Sequence, residues 1–328
     1  MEMEKNMEME MEMEIEVIRE ASAMRSWSRK HRRAGRNIAF VPTMGFLHEG
    51  HLSLIHHAKA YADLIVVSIY VNPGQFSPSE DLSTYPSDFP GDLLKLSRSG
   101  IVDAVFCPSN LYDYQHRHHA AEPSAIARPP NDGTAGISCL DDDDDDDGCG
   151  HETWIRVGRL EQGLCGKSRP VFFRGVATIV AKLFNIVEPD VAVFGKKDYQ
   201  QWRIISRMVR DLDFGVKIIG SEIIREADGL AMSSRNVHLS PEERVKALSI
   251  SKSLFQTKSE AQGGQINCKE LKSSVVGKIT EAGGRIDYVE IVEQESLKPV
   301  EKIESPVVMC IAAWFGKVRL IDNMEIVL

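Results

Sequence analysis

This 328-residue sequence predicts an α/β fold on a parallel sheet, followed by a small α+β domain. Three observations carry that prediction. Strand-like and helix-like stretches alternate up to about residue 223, the rhythm of right-handed β–α–β crossovers. Leu64 to Val71 is a run dominated by β-branched residues, as expected of a strand covered on both faces. Beyond Ser240 the pattern changes to two helical stretches and then adjacent strand-like ones.

Taken in order, Ile15, Ile18, Met24 and Trp27 recur at loosely helical spacing and predict a helix from Ile15 to about Arg33. Asn37 to Val41 reads as a short buried strand stopped by Pro42, and Gly50 to Tyr61 as a helix. Asp92 to Arg98 is a further helix and Val102 to Cys107 a further strand. Residues 109–150 hold His116-Arg117-His118-His119, adjacent prolines, glycines and seven consecutive acids, Asp141 to Asp147. Such a stretch has too little apolar surface to offset its ordering entropy, so it reads as a solvated insertion rather than a metal site. Order returns at Thr153. Phe172 to Val187 is apolar enough for a central helix, Val191 to Phe194 a strand, Tyr199 to Leu212 a helix and Val216 to Ile224 a strand. Ser240-Pro241-Glu242-Glu243 is a capping-box helix start. Tyr288 to Val292, Val307 to Trp314 and Val318 to Ile321 close the chain as strands. The expected organisation is a low-complexity, disordered tail over 1–14, a main domain over 15–223 and a small C-terminal lid domain over 224–328.

Composition narrows the function classes. Apolar residues make up 43% and charged residues 27%, an ordinary globular mix. The formal net charge of −9 falls to about −2 without the Asp run, which leaves no basic face for a nucleic-acid partner. Six cysteines without paired or metal-type spacing fit a reduced protein. No stretch approaches the roughly 18 apolar residues of a membrane span. The Met/Glu alternation at the N-terminus resembles neither a signal nor a transit peptide, so the expected location is the cytoplasm.

Three motifs carry chemistry. His48-Glu49-Gly50-His51 falls where a strand ends and a helix begins, and helix N-termini attract anions through free N–H groups and the macrodipole. Gly50 allows close backbone approach by a nucleotide, while His48 and His51 can donate to phosphate oxygens as transition-state charge develops. Met232-Ser233-Ser234-Arg235, after Asp228-Gly229, is a compact phosphate clamp of two hydroxyls and a guanidinium. Gly195-Lys196-Lys197-Asp198-Tyr199-Gln200-Gln201 follows a strand, at the carboxyl edge where parallel sheets bind ligands. Lys197 can neutralise phosphate charge there, and Gln201 can bond a polar substrate. Gln75, in Asn72-Pro73-Gly74-Gln75-Phe76, offers a neutral hydrogen-bonding group at the same edge.

An early His-x-Gly-His with a late Met-Ser-Ser-Arg resembles the paired signature of class I nucleotidylyltransferases. With Phe173-Arg174-Gly175-Val176-Ala177-Thr178 added, the set closely resembles the pantoate–β-alanine ligase (pantothenate synthetase) family over nearly the whole chain. The insertion before His151-Glu152-Thr153-Trp154 is similar to that of plant members. The resemblance implies a Rossmann-like sheet of the HxGH nucleotidylyltransferase type. It also implies ATP-dependent ligation of pantoate with β-alanine through pantoyl adenylate, with AMP and diphosphate released. By that resemblance Met44, Gly45, His48, Gly50, His51, Gly195, Lys197, Asp198, the backbone near Ile224, Met232, Ser233, Ser234 and Arg235 hold ATP. His51 is the expected proton donor, and His48, Lys197 and Arg235 act with it. Gln75 and Gln201 are expected to bind pantoate.

Two departures stand out. Lys196 occupies a position where the family often has Glu, and Gly91-Asp92 stands where many members carry paired acids. Mg²⁺ is expected with ATP, held mainly through phosphates and water, with Asp92 a weaker candidate ligand. A homodimer is the assembly the resemblance implies. A plain adenylyltransferase would share the His-x-Gly-His logic, but Gln75, Gln201 and the small C-terminal domain favour the ligase. An aminoacyl-tRNA synthetase is disfavoured by the missing tRNA-binding domain. A degenerate binder would have lost one of His48, His51, Lys197 or Arg235, and none is missing.

Overall fold

The computed structural model describes residues 15–77, 82–112 and 151–328. The N-terminal tail and the Asp run therefore lie outside the described residues. Elements follow the order β1 (Glu16–Ile18), α1 (Ala21–Arg33), β2 (Ile38–Thr43), α2 (Glu49–Ala58), β3 (Leu64–Ile69), α3 (Phe89–Ser99) and β4 (Ala104–Phe106). After the undescribed stretch come α4 (Cys165–Ser168), α5 (Phe172–Val187), β5 (Val191–Gly195), α6 (Tyr199–Asp211) and β6 (Lys217–Ser221). The C-terminal part holds α7 (Pro241–Gln262), α8 (Cys268–Glu281), β7 (Arg285–Glu293), β8 (Val307–Phe315) and β9 (Val318–Ile326).

The first six strands form one sheet in the order β1-β4-β3-β2-β5-β6, and the pairings among β1 to β5 are parallel. All six residues of β3 are buried, as its β-branched run requires. Two expectations need correction. Ile15 to Ile18 does not begin the first helix: Glu16–Ile18 is an edge strand registered on Ala104–Phe106. Three residues are too few to show a period of two, and the pairing that makes them a strand is non-local. Pro42 does not stop β2 either, because the strand runs on to Thr43 with Pro42 opposite Ser68. The ladder to β5 covers Ala39 and Phe40, so Pro42 lies beyond it and its missing N–H costs no bond on that side.

The described residues form two compact units. The first takes its described residues from Met1–Phe46, Ala58–Arg156 and Val171–Ala192. Its core includes Phe40, Ile65, Val67, Phe106 and Phe184, with α5 buried nearly all round. Leu111 and Tyr112, expected to open the solvated insertion, are instead core residues. Apolar bulk at the margin of a polar stretch is easily assigned to the wrong side.

The second unit comprises Leu47–His57, Val157–Pro170 and Val193–Leu328. Its antiparallel sheet β7-β8-β9 carries a core of Leu254, Leu271, Val275, Ile311 and Phe315 with α7 and α8. On the other side of β8, Val308 and Cys310 cluster with Leu164 and Tyr199. The capping box forms as the sequence predicts: Ser240 Oγ accepts from Glu243 N–H, and the Glu243 carboxylate accepts from Ser240 N–H.

Candidate active site

The loops leaving the central strands supply the chemistry-bearing residues. After β2 the chain turns at Gly45 (φ 84°) and Phe46 (φ 51°), two successive left-handed residues. The turn is held by Gly45 N–H donating to Thr43 Oγ1 and Phe46 N–H donating to Asp92 Oδ2 at 2.7 Å. Asp92 is 1% exposed, and its other oxygen lies 3.8 Å from Lys95 Nζ. Its carboxylate is thus engaged in fixing the Met44–Phe46 turn.

In the same unit Gln75 lies in a 3-10 turn, Pro73–Gln75. Asn72 Nδ2 donates to Gln75 Oε1 at 2.9 Å and to Gly175 O at 3.2 Å, while Tyr112 OH donates to Asn72 Oδ1 at 2.8 Å. With Oε1 engaged, Gln75 presents its amide N–H groups, one of which reaches Met44 Sδ at 3.2 Å. The turn also abuts α5 backbone to backbone: a Cβ at Gly175 would lie 1.9 Å from Gly74 O. Tyr112 stacks on Trp154 and meets His151 edge-on, which ties both margins of the undescribed stretch to this loop. Burial and Lys182 lower the pKa of His151 below the usual imidazole value.

In the second unit, α2 opens with the two histidines acting as its cap. His48 Nδ1 accepts from Gly50 N–H at 3.1 Å, and His51 Nδ1 accepts from His48 N–H at 3.4 Å. The arrangement is a cap built from imidazoles, with the His48 ring on the second helical N–H and the His51 ring on the N–H of His48. Because both Nδ1 atoms accept, each neutral ring carries its proton on Nε2. The rings are 4.1 Å apart between centroids. Gly50 is required by the His48 ring itself: a Cβ there would lie 2.8 Å from His48 Cε1 and 3.4 Å from Met232 Cβ. That approach brings the start of α2 beside the Met232–Arg235 loop. Ser233 Oγ caps the 3-10 turn Ser234–His238 by accepting from Arg235 N–H. Ile224 O accepts from Met232 N–H, and Asn236 Nδ2 donates to Glu226 and Ala231 O.

Gly195 ends β5, and Lys196–Asp198 form a single 3-10 turn before α6, which begins with Tyr199. The two lysines differ sharply. Lys196 Nζ pairs with Glu222 at 2.5 Å and Glu325 at 2.9 Å. Lys197 forms no ion pair among the described residues. Lys196 is thus neutralised within the fold, whereas the Lys197 charge acts at longer range on the Asp322 carboxylate. Gln201 is half-buried on α6, whereas Gln200 is buried and clamps Leu160 O and Gly163 O. Asn72, Tyr112, Arg225, Asp322 and Asn323 had no separate signal in the sequence. The last two sit in β9 among other polar residues, Arg319 and Glu325, so nothing local marks them out.

A model of the family described as pantoate-beta-alanine ligase matches residues 16–325. The chain is 67% identical over 311 residues to the pantoate–beta-alanine ligase of Lotus japonicus, covering 94% of this chain and 98% of that protein. It is 63% identical over 311 residues to the Arabidopsis thaliana ligase, with 94% and 97% covered. Among solved structures, pantothenate synthetase from Thermus thermophilus matches with TM-score 0.78 and 34% identity, covering 95% of this chain and 99% of that one. The ligase from Francisella tularensis, complexed with beta-gamma ATP and beta-alanine, matches with TM-score 0.70 and 30% identity over 94% and 97% of the two chains.

A parallel sheet whose central strand leads into a His-x-Gly-His helix cap, with a Ser-Ser-Arg loop beside that cap, is an enzyme fold of the nucleotidylyltransferase type. Within that class, the chain belongs to the pantoate–β-alanine ligase family.

Proposed function

We propose that this chain condenses (R)-pantoate with β-alanine to pantothenate at the expense of ATP. A pantoate carboxylate oxygen attacks the α-phosphorus, the bond to the β-phosphate oxygen breaks, and diphosphate leaves. The β-alanine amine then attacks the acyl carbon of pantoyl adenylate; AMP departs and the amine loses a proton. The observation that carries this reading is the His48/His51 cap, in which each ring accepts through Nδ1 and so orients its Nε2–H at a helix N-terminus.

In this reading the Met44–His51 segment binds ATP, with Gly45 and Gly50 permitting close backbone approach and His51 donating its proton. Lys197, with Gly195 and Asp198 on the same turn, meets the phosphates; Ser233, Ser234 and Arg235 close over them. The backbone near Ile224 and Met232 meets the adenosine. Gln75 and Gln201 bind pantoate, Gln75 as a donor to its oxygens. A closed lid would shield the adenylate from water. Mg²⁺ fits the reaction as a phosphate-bound ion. Among the described residues no group of three His, Cys, Asp or Glu could cage it, and Asp92 serves the Phe46 turn. The proposal includes a cytoplasmic homodimer; among the described residues no helix is long and apolar enough to cross a membrane.

Lys197→Ala tests the assignment. Loss of a transition-state donor is expected to slow pantoate-dependent diphosphate release at least roughly 100-fold. Near-normal release by that variant would remove Lys197 from the mechanism.

A further inference from the structure

On β9, two consecutive buried polar residues reach two different phosphate-handling segments. Asn323 Nδ2 donates to Lys196 O and to Lys197 O, both at 2.9 Å. Asp322 accepts a fork from Arg225, at 2.6 Å to Oδ2 and 3.0 Å to Oδ1. Arg225 also donates to Gly229 O and bridges Ala231, so it braces the hairpin that runs directly into Met232-Ser233. Asn323 N–H donates to Asp322 Oδ1, which links the pair to each other. Each is 4% exposed, and all of these residues belong to the second unit.

We propose that Asp322 and Asn323 are positioning residues for the first chemical step, a common mount that fixes the Lys197 turn and the Ser233–Arg235 loop relative to each other. The proposal rests on the reading of Lys197 and Arg235 as phosphate ligands. The geometry serves this role in two ways. One primary amide spans two successive carbonyls, so the 3-10 turn cannot rotate about its strand without breaking both bonds. A bidentate carboxylate–guanidinium fork restricts orientation as well as distance. Neither residue needs to touch substrate. Their stiffness would appear in the placement of Lys Nζ and Arg guanidinium, and a displacement of about 1 Å costs up to roughly 100-fold in rate.

The test is a double-mutant cycle on the full chain, reading single-turnover diphosphate release with ATP, Mg²⁺ and pantoate. Asn323→Leu keeps the side-chain bulk but removes the donors, and is expected to slow release roughly 10- to 100-fold, while separate steady-state assays with β-alanine varied show its KM unchanged. The Asn323→Leu/Lys197→Ala double variant is expected to be no slower than Lys197→Ala alone, because the amide acts through the lysine. Asp322→Asn should show the same dependence with Arg235→Ala. Should Asn323→Leu fail to fold by circular dichroism, Asn323→Asp replaces it, turning an oxygen toward two carbonyls within the same shape. Penalties that multiply in the double variant, or a wild-type rate in the single one, would overturn the mount. Near-normal release by Lys197→Ala itself would overturn the phosphate reading as well, so the two failures are told apart.

Discussion

Gly50 shows how much one missing side chain decides. The helix start needs a side-chain acceptor for its free N–H groups, and His48 supplies it by folding its ring over the second helical residue. A methyl group at Gly50 would sit 2.8 Å from His48 Cε1. Gly50→Ala is therefore expected to lower kcat by about 100-fold through displacement of the imidazole, and adding His48→Ala should lower it little further. Steady-state kinetics of the three variants checks this. His151 gives a pH prediction. Its folded pKa lies below the unfolded value of about 6.5. Between those two values the unfolded chain binds more protons, so stability rises with pH in that window and is lost as pH falls from about 6.5 through the folded pKa. Urea titrations at several pH values, wild type against His151→Gln, should show the variant losing less stability on acidification. Much of this chemistry is legible in the sequence because His48 to His51 and Met232 to Arg235 are contiguous. Asn323 and Tyr112 were not, because their partners lie 126 and 40 residues away and no local pattern announces the bond.

Helix α7 and helix α5 illustrate elements whose ends and faces have separable roles. The Ser240–Glu243 box supports α7 away from the chemistry, so Ser240→Ala should cost about 1 kcal/mol of stability and leave kcat unchanged, as chemical denaturation and kinetics would show. In α5, Gly175 is where the helix backbone meets the Pro73–Gln75 turn. A methyl group there would lie 1.9 Å from Gly74 O, a backbone atom unable to yield as a side chain could. Gly175→Ala is expected to destabilise by about 3 kcal/mol and to raise the KM for pantoate more than that for ATP. Equal effects on both would contradict the role given to Gln75. The long helices were legible because their period repeats over many residues, and β3 because its β-branched run is uninterrupted enough to demand cover on both faces. The edge strand β1 was not: Glu16–Ile18 owes its conformation to pairing with residues 104–106, and its neighbours Met24 and Trp27 extended a false helical period across it.

For the whole molecule, the alternation of strands and helices predicts the parallel sheet, and the switch to adjacent strands predicts the antiparallel β7-β8-β9 sheet. What the sequence conceals is that Leu47–His57, which carries His48 and His51, clusters with the C-terminal residues rather than with the strand before it. That grouping depends on contacts such as Gly50 with Met232, made across a separation no periodicity records. It places His48, His51, Lys197 and Arg235 in one compact unit, as the proposed role of these groups on one triphosphate requires. The central claim concerns the reaction this unit serves. Incubating the chain with ATP and Mg²⁺ plus pantoate, β-alanine, both or neither, and quantifying AMP and diphosphate, tests it most directly. The account predicts multiple-turnover AMP formation only when both substrates are present. Catalytic diphosphate release without β-alanine and without AMP would contradict it, and so would folded protein that forms neither product in any of the four mixtures.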